Sequence, residues 1–300
     1  MKEYLIIEKP TLGDICDAVR EKEGSTEPIP VNALADRIGA LQIGGGENKL
    51  IPVLEGTVTE LTAEDLKGLT KLGENAFAQR TALIKVELPD SVVSIDGYAF
   101  QNTGLTDLTI GKGLATVNHD GFSVCRALQN VYYNGSLVDY CNITFTGSTS
   151  SPFTSTNASN TTLYIKQDGA YKPIENIVIP SVVTEVKNYT FQKCLSLKSV
   201  VIEEGATRIG IFAFYSCSNI TNVIIPKTVT EIGTGGLNVG SSISSKKATL
   251  TFLSTNPPTL TSTLNERNLK KIIVPKGCAE AYKTATNWSN VADYIEEATE

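Results

Sequence analysis

The chain predicts a mainly β solenoid with short helical turns, built from 23-residue repeats, and three interlocking patterns carry that reading. Phe77, Phe100, Phe122, Phe191 and Phe214, with Leu237 as a weaker sixth tooth, are spaced by 23, 22, 69, 23 and 23 residues, and 69 is three periods. A second comb with spacing 0, 3, 5 runs in step through Leu83, Val86, Leu88, through Leu105, Leu108, Ile110, and on to Ile220, Val223, Ile225. A third precedes each large residue, as at Leu69 and Leu72, Val117, Val183 and Val186, Ile209, and Val229 and Ile232. Each unit thus reads as an LxxVxI strand, a break at Pro or Gly (Pro89, Pro180, Pro226), a short second strand and a tight helical turn around the Phe. None of these pieces buries its apolar side alone, whereas stacked units share one continuous core.

The first 43 residues do not follow the repeat. Thr11 is placed to cap a helix carrying Leu12, Ile15, Ala18 and Val19 at helical spacing, with Gly24 as its stop, and Leu34, Ile38 and Leu41 give the next segment an apolar face. Units below about 40 residues usually need a partner, so residues 1–43 are expected to attach the chain or assemble it as a homo-oligomer. Gly44, Gly45 and Gly46 open a flexible linker over 44–50. The solenoid is expected over 51–277, beginning with a capping half-repeat that ends at Phe77.

Within it, residues 134–170 read as an irregular insert. Phe145 falls 23 residues after Phe122, which predicts a coil in register, while the Ser/Thr/Asn-rich run 147–162 predicts a protruding loop before a strand at 163–165. The segment GGLNVGSSISSKK replaces an expected turn, so deformation is predicted near residue 240. Residues 278–300 are expected to cap the stack with a helix from about Cys278 to Glu296, offering Tyr282, Trp288, Val291 and Ile295 to the open end.

A net charge of −6 with no Lys/Arg run argues against a nucleic-acid footprint. No segment approaches 18 apolar residues, so no membrane span is expected, and the opening MKEYLIIEKP is too short in its apolar run for a secretory signal. Cys125, Cys194 and Cys217 each sit three residues after a repeat Phe, which predicts a buried thiol column. A Cys194–Cys217 disulfide is conceivable at coil spacing, and the reduced state is preferred without an export signal. Cys16, Cys141 and Cys278 lack the partner spacing of a zinc site, and no cofactor is expected.

Catalytic chemistry finds little to rest on. His119, the one histidine, lies in a turn with no nucleophile motif in the chain, and GKG at 111–113 lacks the rest of a phosphate loop. The informative surface lies between the comb teeth, because alternate residues of a strand face opposite sides. The fifth-position column of the strands includes Tyr132, Val178, Val201, Ile224 and Ile273, and turns apolar toward the C-terminal half. An exposed apolar stripe marks a binding face, but β-branched residues also simply suit strands; both readings stay open. The third-position column, including Asn130, Asn176 and Asn222, is polar and suits hydrogen bonding to protein or sugar, or a solvated sheet face.

Units such as GYAFQNTGLTDLTIG, YTFQKCLSLKSVVI and FAFYSCSNITNVIIPKTVTEIG resemble the BspA-like leucine-rich repeats over about residues 57–295. That resemblance implies a leucine-rich-repeat solenoid used for adhesion to cell-surface or extracellular protein or glycan ligands. The segments TLGDICDAVREKEG and EPIPVNALADRI resemble short N-terminal modules of phage and prophage tail-associated proteins, which implies a receptor-binding role in a virion. The alternative is a cellular adhesin or interaction scaffold at the cell surface or in the cytoplasm.

Overall fold

The structure, a computed structural model, describes residues 57–154, 161–239 and 247–299. The expected N-terminal module and linker, the middle of the Ser/Thr/Asn-rich run and the predicted deformation at 240–246 lie outside the described residues.

Each regular coil contributes one long and one short strand. The long strands β1 (Glu60–Leu61), β3 (Lys85–Glu87), β5 (Asp107–Ile110), β7 (Asn130–Tyr133) and β9 (Thr162–Gln167) stack in parallel, and β10 (Ala170–Pro173) closes this first sheet antiparallel to β9. A second long-strand sheet runs through β11 (Asn176–Ile179), β13 (Ser199–Ile202), β15 (Asn222–Ile225), β17 (Ala248–Phe252), β19 (Leu269–Val274) and β20 (Ile295–Glu297). The short strands form two matching four-stranded sheets: β2 (Lys71–Leu72), β4 (Ser94–Ile95), β6 (Thr116–Val117) and β8 (Thr144–Phe145), then β12 (Glu185–Val186), β14 (Arg208–Ile209), β16 (Glu231–Ile232) and β18 (Thr259–Leu260).

Register follows the combs. Asn176 pairs with Ser199 and Ser199 with Asn222, one period apart at each step. The fourth and sixth positions of the long strands are buried in every coil from β3 to β19, and one apolar cluster runs from Leu61 to Ile295. Phe77, Phe100 and Phe122 stack with ring centroids 5.5 and 5.3 Å apart, and Phe191 and Phe214 at 5.4 Å. Burying one such ring contributes about 1.5–3 kcal/mol relative to leaving it in water.

The turn around each of these rings is a chain of β-turns. In the first, Ala76, Ala78 and Arg80 donate backwards within their own coil, to Gly73, Asn75 and Phe77, while Asn75, Phe77 and Gln79 donate to Gly97, Ala99 and Gln101 of the next coil. Alternate amides therefore point in different directions, which requires positive φ two residues before and after the Phe. Asn75 and Gln79, Tyr98 and Asn102, Asp120 and Val124, Tyr189 and Lys193, and Phe212 and Ser216 all adopt it. At the sixth turn the first of these positions is Gly235, with φ +64°, and a Cβ there would stand 2.6 Å from the Phe212 ring.

The buried cysteines are thiols, not a disulfide. Cys125 Sγ donates to Phe100 O and Cys217 Sγ to Phe191 O, both at 2.9 Å, so each thiol satisfies a carbonyl of the preceding coil. Thr103 holds the same column position and donates to Phe100 O at 3.0 Å. Burial pushes the Cys194 thiol up to about 11 and Cys141 up to about 12.

Three expectations change in the insert and at the C-terminal end. Phe145 does not join the Phe stack. It sits in β8 opposite Val117, in the short-strand column, because the coil between β7 and β8 holds an extra helical turn, α1 (Leu137–Cys141), capped reciprocally by Ser136 and Asp139. Tyr140 on that helix packs against Phe191 across the break, with centroids 5.7 Å apart. The strand expected at 163–165 is longer and folds back through Asp168 and Gly169, both at positive φ, into the hairpin strand β10.

The expected capping helix over 278–296 is also corrected. Helix α2 (Ala279–Thr284) is followed by a 3-10 turn at Ser289–Tyr294, and Ile295–Glu297 pairs in parallel with β19. The helix ends where Ala285 turns extended (φ −68°, ψ 154°), Asn287 follows at φ 66°, and the strand ending supplies one more rung to the sheet. Tyr282, Trp288, Val291 and Ile295 are buried at this end, and Trp288 Nε1 donates to Pro258 O at 3.0 Å.

Candidate functional site

The outward side chains of the two long-strand sheets differ in chemistry. In the first sheet the fifth-position column runs Glu87, Thr109, Tyr132 and Tyr164 across paired strands; in the second it runs Val178, Val201, Ile224, Thr251, Ile273 and Glu296. Thr251 thus interrupts the aliphatic run predicted between Ile224 and Ile273. Val178 is 49% exposed because β11 begins its sheet with no strand on its outer side, whereas Val201, Ile224 and Ile273 are half-buried between neighbours.

The third-position column is polar throughout and bonds along the stack. Asn130 Nδ2 donates to Asp107 Oδ1 at 2.9 Å, and Ser199 Oγ donates to Asn176 Oδ1 at 2.7 Å. Asn176 is exposed and Asn222 half-buried. Lys85 pairs with Glu87 at 2.8 Å, and that carboxylate holds the ammonium above its ordinary range. Lys271 reaches Glu296 at 3.3 Å at the far end.

Tyr132 belongs to a cluster that spacing did not reveal. Its ring stacks on Tyr164 at 4.8 Å and meets Tyr171, tilted by 58°, at 5.0 Å. Tyr171 comes from the hairpin strand β10, reaches across β9, and donates its hydroxyl to Asn134 Oδ1, while Lys166 Nζ stands 5.9 Å above its ring. Burial, then the charge of Asp107, raises the Tyr132 phenol above its ordinary range, and burial, then Glu87, does so for Tyr171. Tyr164 was hidden because β7 and β9 are 32 residues apart rather than 23. Tyr171 was hidden because it needs the hairpin, for which Asp168-Gly169 was the available signal.

A second aromatic group lies on the turn side. Tyr189 and Phe212 stack at 6.0 Å, and Phe212 meets Tyr215 edge-on at 4.9 Å. His119, in its exposed turn, stands edge-on to Tyr98 at 5.5 Å. Among the described residues no group of three or more His, Cys, Asp or Glu side chains is placed to hold a metal ion, and no helix is long and apolar enough to cross a membrane. The arrangement places aliphatic, polar and aromatic side chains on the outer faces of the long-strand sheets.

Residues 57–168 and 170–291 match the BspA type Leucine rich repeat region, in six copies. No curated protein matches the chain. Among solved structures, a leucine rich cell surface protein from Faecalibacterium prausnitzii A2-165 is 21% identical with a TM-score of 0.40; the match covers 84% of this chain and 62% of that one, so this chain spans under two thirds of its length. A leucine-rich repeat protein from Eubacterium ventriosum is 17% identical (TM-score 0.41, 84% and 76% covered), and the pneumococcal vaccine antigen PcpA 14% (TM-score 0.33, 82% and 76%). With the family match spanning most of its length, the chain belongs to the BspA-type leucine-rich-repeat family.

Proposed function

We propose that this is a non-enzymatic binding protein that recognises a cell-surface or extracellular ligand through the outer face of its long-strand sheets. The observation that carries the reading is the composition of that face: an aliphatic column from Val178 to Ile224 flanked by a polar column, and three tyrosines gathered at the end of the neighbouring sheet. Tyrosine supplies broad, rigid, amphipathic contact area at low entropic cost, and apolar side chains rimmed by polar ones are the usual make-up of a recognition surface. The candidate contact residues are Tyr132, Val178, Val201, Ile224 and Ile273, with Asn130, Asn176 and Asn222 beside them.

The finer reading places the protein in a phage or prophage tail, where residues 1–43 assemble it and many weak contacts multiply through avidity. It rests on the resemblance of that segment alone; the coarser reading, a bacterial adhesin or interaction protein, needs only the family. Binding of the labelled full chain to intact bacterial cells from a panel of hosts tests both. Strain-selective binding that is lost on Val201→Lys plus Ile224→Lys, with melting unchanged, places recognition on the second sheet. Absence of binding to every cell type removes a surface-recognition role. A chain that is monomeric by light scattering, with and without residues 1–43, removes the tail assembly.

A further inference from the structure

The bend between β7 and α1 is built from Asn134 and Gly135, and its chemistry is unlike that of the other turns. Glycine is imposed there: a Cβ at 135 would stand 2.7 Å from the Tyr133 ring, whose seat is fully buried. No described residue accepts a hydrogen bond from the Gly135 N–H, although its neighbours are held on both sides. Asn134 N donates to Ile110 O at 2.9 Å, and Ser136 N donates to Asp139 Oδ2 at 2.9 Å. The half-exposed Asn134 side chain receives the Tyr171 hydroxyl on Oδ1, its carbonyl oxygen.

We propose that Asn134 is a self-modifying site, converted by its own backbone to aspartate and isoaspartate, with the Tyr171 hydroxyl assisting. An asparagine cyclises when the next residue's amide nitrogen adds to its side-chain carbonyl carbon, and a following residue without a Cβ leaves that approach open. Gly135 is itself buried, so its N–H meets hydroxide as the bend loosens; the nitrogen gives its proton to that hydroxide and adds to Asn134 Cγ. The carbonyl electron pair moves onto Oδ1, where the Tyr171 hydroxyl is already placed to stabilise the developing negative charge. Collapse restores the carbonyl and breaks the Cγ–Nδ2 bond, and Nδ2 takes a proton from water and leaves as ammonia. Water then adds to either carbonyl of the five-membered imide, opening it to aspartate or to isoaspartate with the chain rerouted through Cγ. The net change is amide plus water to carboxylate plus ammonia, with no oxidant or cofactor.

Either product adds a negative charge at Asn134, on the side chain that anchors Tyr171. Isoaspartate also lengthens the backbone by one carbon between the bond to Ile110 and the cap of α1, so the Tyr171 side chain loses the anchor that holds it across β9, while β10 keeps its ladder with β9. The site therefore acts as a clock on the tyrosine cluster, whatever that cluster binds.

The test is ageing of the full chain at mildly acidic and mildly alkaline pH in heavy-oxygen water, followed by peptide mass mapping and isoaspartate labelling. Conversion at Asn134, faster at the higher pH and well ahead of Asn142, which precedes the β-branched Ile143, is expected. Asn134 surviving as long as Asn142 overturns the proposal. Tyr171→Phe keeps the ring and removes the hydroxyl, and is expected to slow conversion about 10-fold, below the ~100-fold typical of a pre-organised oxyanion donor. Conversion in that variant at the parental rate or faster overturns the role of Tyr171. Asn134→Gln, whose longer side chain does not close the same ring, confirms the route if position 134 stays unmodified under both conditions and refutes it if the mass gain persists there.

Discussion

The coils from Asn176 to Leu237 and the stretch between β7 and β11 solve the same packing problem in opposite ways. In the former, equal length brings equal side chains into equal seats: Phe191 lies on Phe214 with the rings 9° from parallel, and Cys217 bonds the Phe191 carbonyl as Cys125 bonds that of Phe100. In the latter, the steps from Asn130 to Thr162 and from Thr162 to Asn176 are 32 and 14 residues. The two steps together equal two periods, so the array resumes in phase, but the interior is filled by a one-off arrangement. Tyr140 meets Phe145 at 50° and Phe191 at 34°, and its buried hydroxyl has no hydrogen-bond partner among the described residues. Neither the long-strand nor the short-strand ladder continues across this break. Repetition makes one good local solution serve many times; an interruption has to be packed from scratch.

The largest expected effect tests the regular side of that contrast. Phe214→Ala removes a buried ring stacked on Phe191, with Leu237 at the same position of the next coil, and is expected to cost about 3–5 kcal/mol, read from urea unfolding; a smaller loss than at Phe145→Ala would break the contrast. Next, the buried thiols make alkaline pH a probe of both regions. Cys141 lies beside the break and Cys194 in the array, and burial raises both, to about 12 and about 11. A thiol raised in the folded state stabilises fully below its unfolded value near 9 and loses that contribution as pH rises toward the folded value. Stability should therefore decline from about pH 9 upward, and a melting profile flat to pH 11 would contradict it. The smallest effect sharpens the irregular side. Tyr140→Phe deletes an unpartnered buried hydroxyl and should raise stability by about 1 kcal/mol; a loss of similar size would show that the hydroxyl is bonded after all.

What the sequence disclosed follows the same division. The three combs revealed every regular coil and the inward fourth and sixth positions, because a 23-residue period and a two-residue alternation both survive without tertiary information. Phe145 misled because spacing alone does not distinguish a kept register from one restored later: α1 consumes residues that other coils spend on the turn. Thr251, Tyr164 and Tyr171 were missed on the candidate face because each sits where the step differs from 23 or where the chain reverses. The C-terminal helix was overextended because Tyr282, Trp288, Val291 and Ile295 can cover the same open end from a helix, a 3-10 turn and a strand in succession. Apolar content fixed that these residues are buried, not the backbone that carries them.

The alternating turn amides also govern the electrostatics of the stack as a whole. Around Phe77, Phe100, Phe191 and Phe214 the bonds between coils run from an N–H to a carbonyl of the following coil, as from Phe77 to Ala99 and from Phe191 to Ala213. Beside the long strands they run both ways, back from Thr106 to Ile84 and forward from Leu88 to Thr109. The peptide dipoles of the long-strand ladders therefore largely cancel along the stack, unlike the aligned dipoles of a helix, which leave partial charges at its ends.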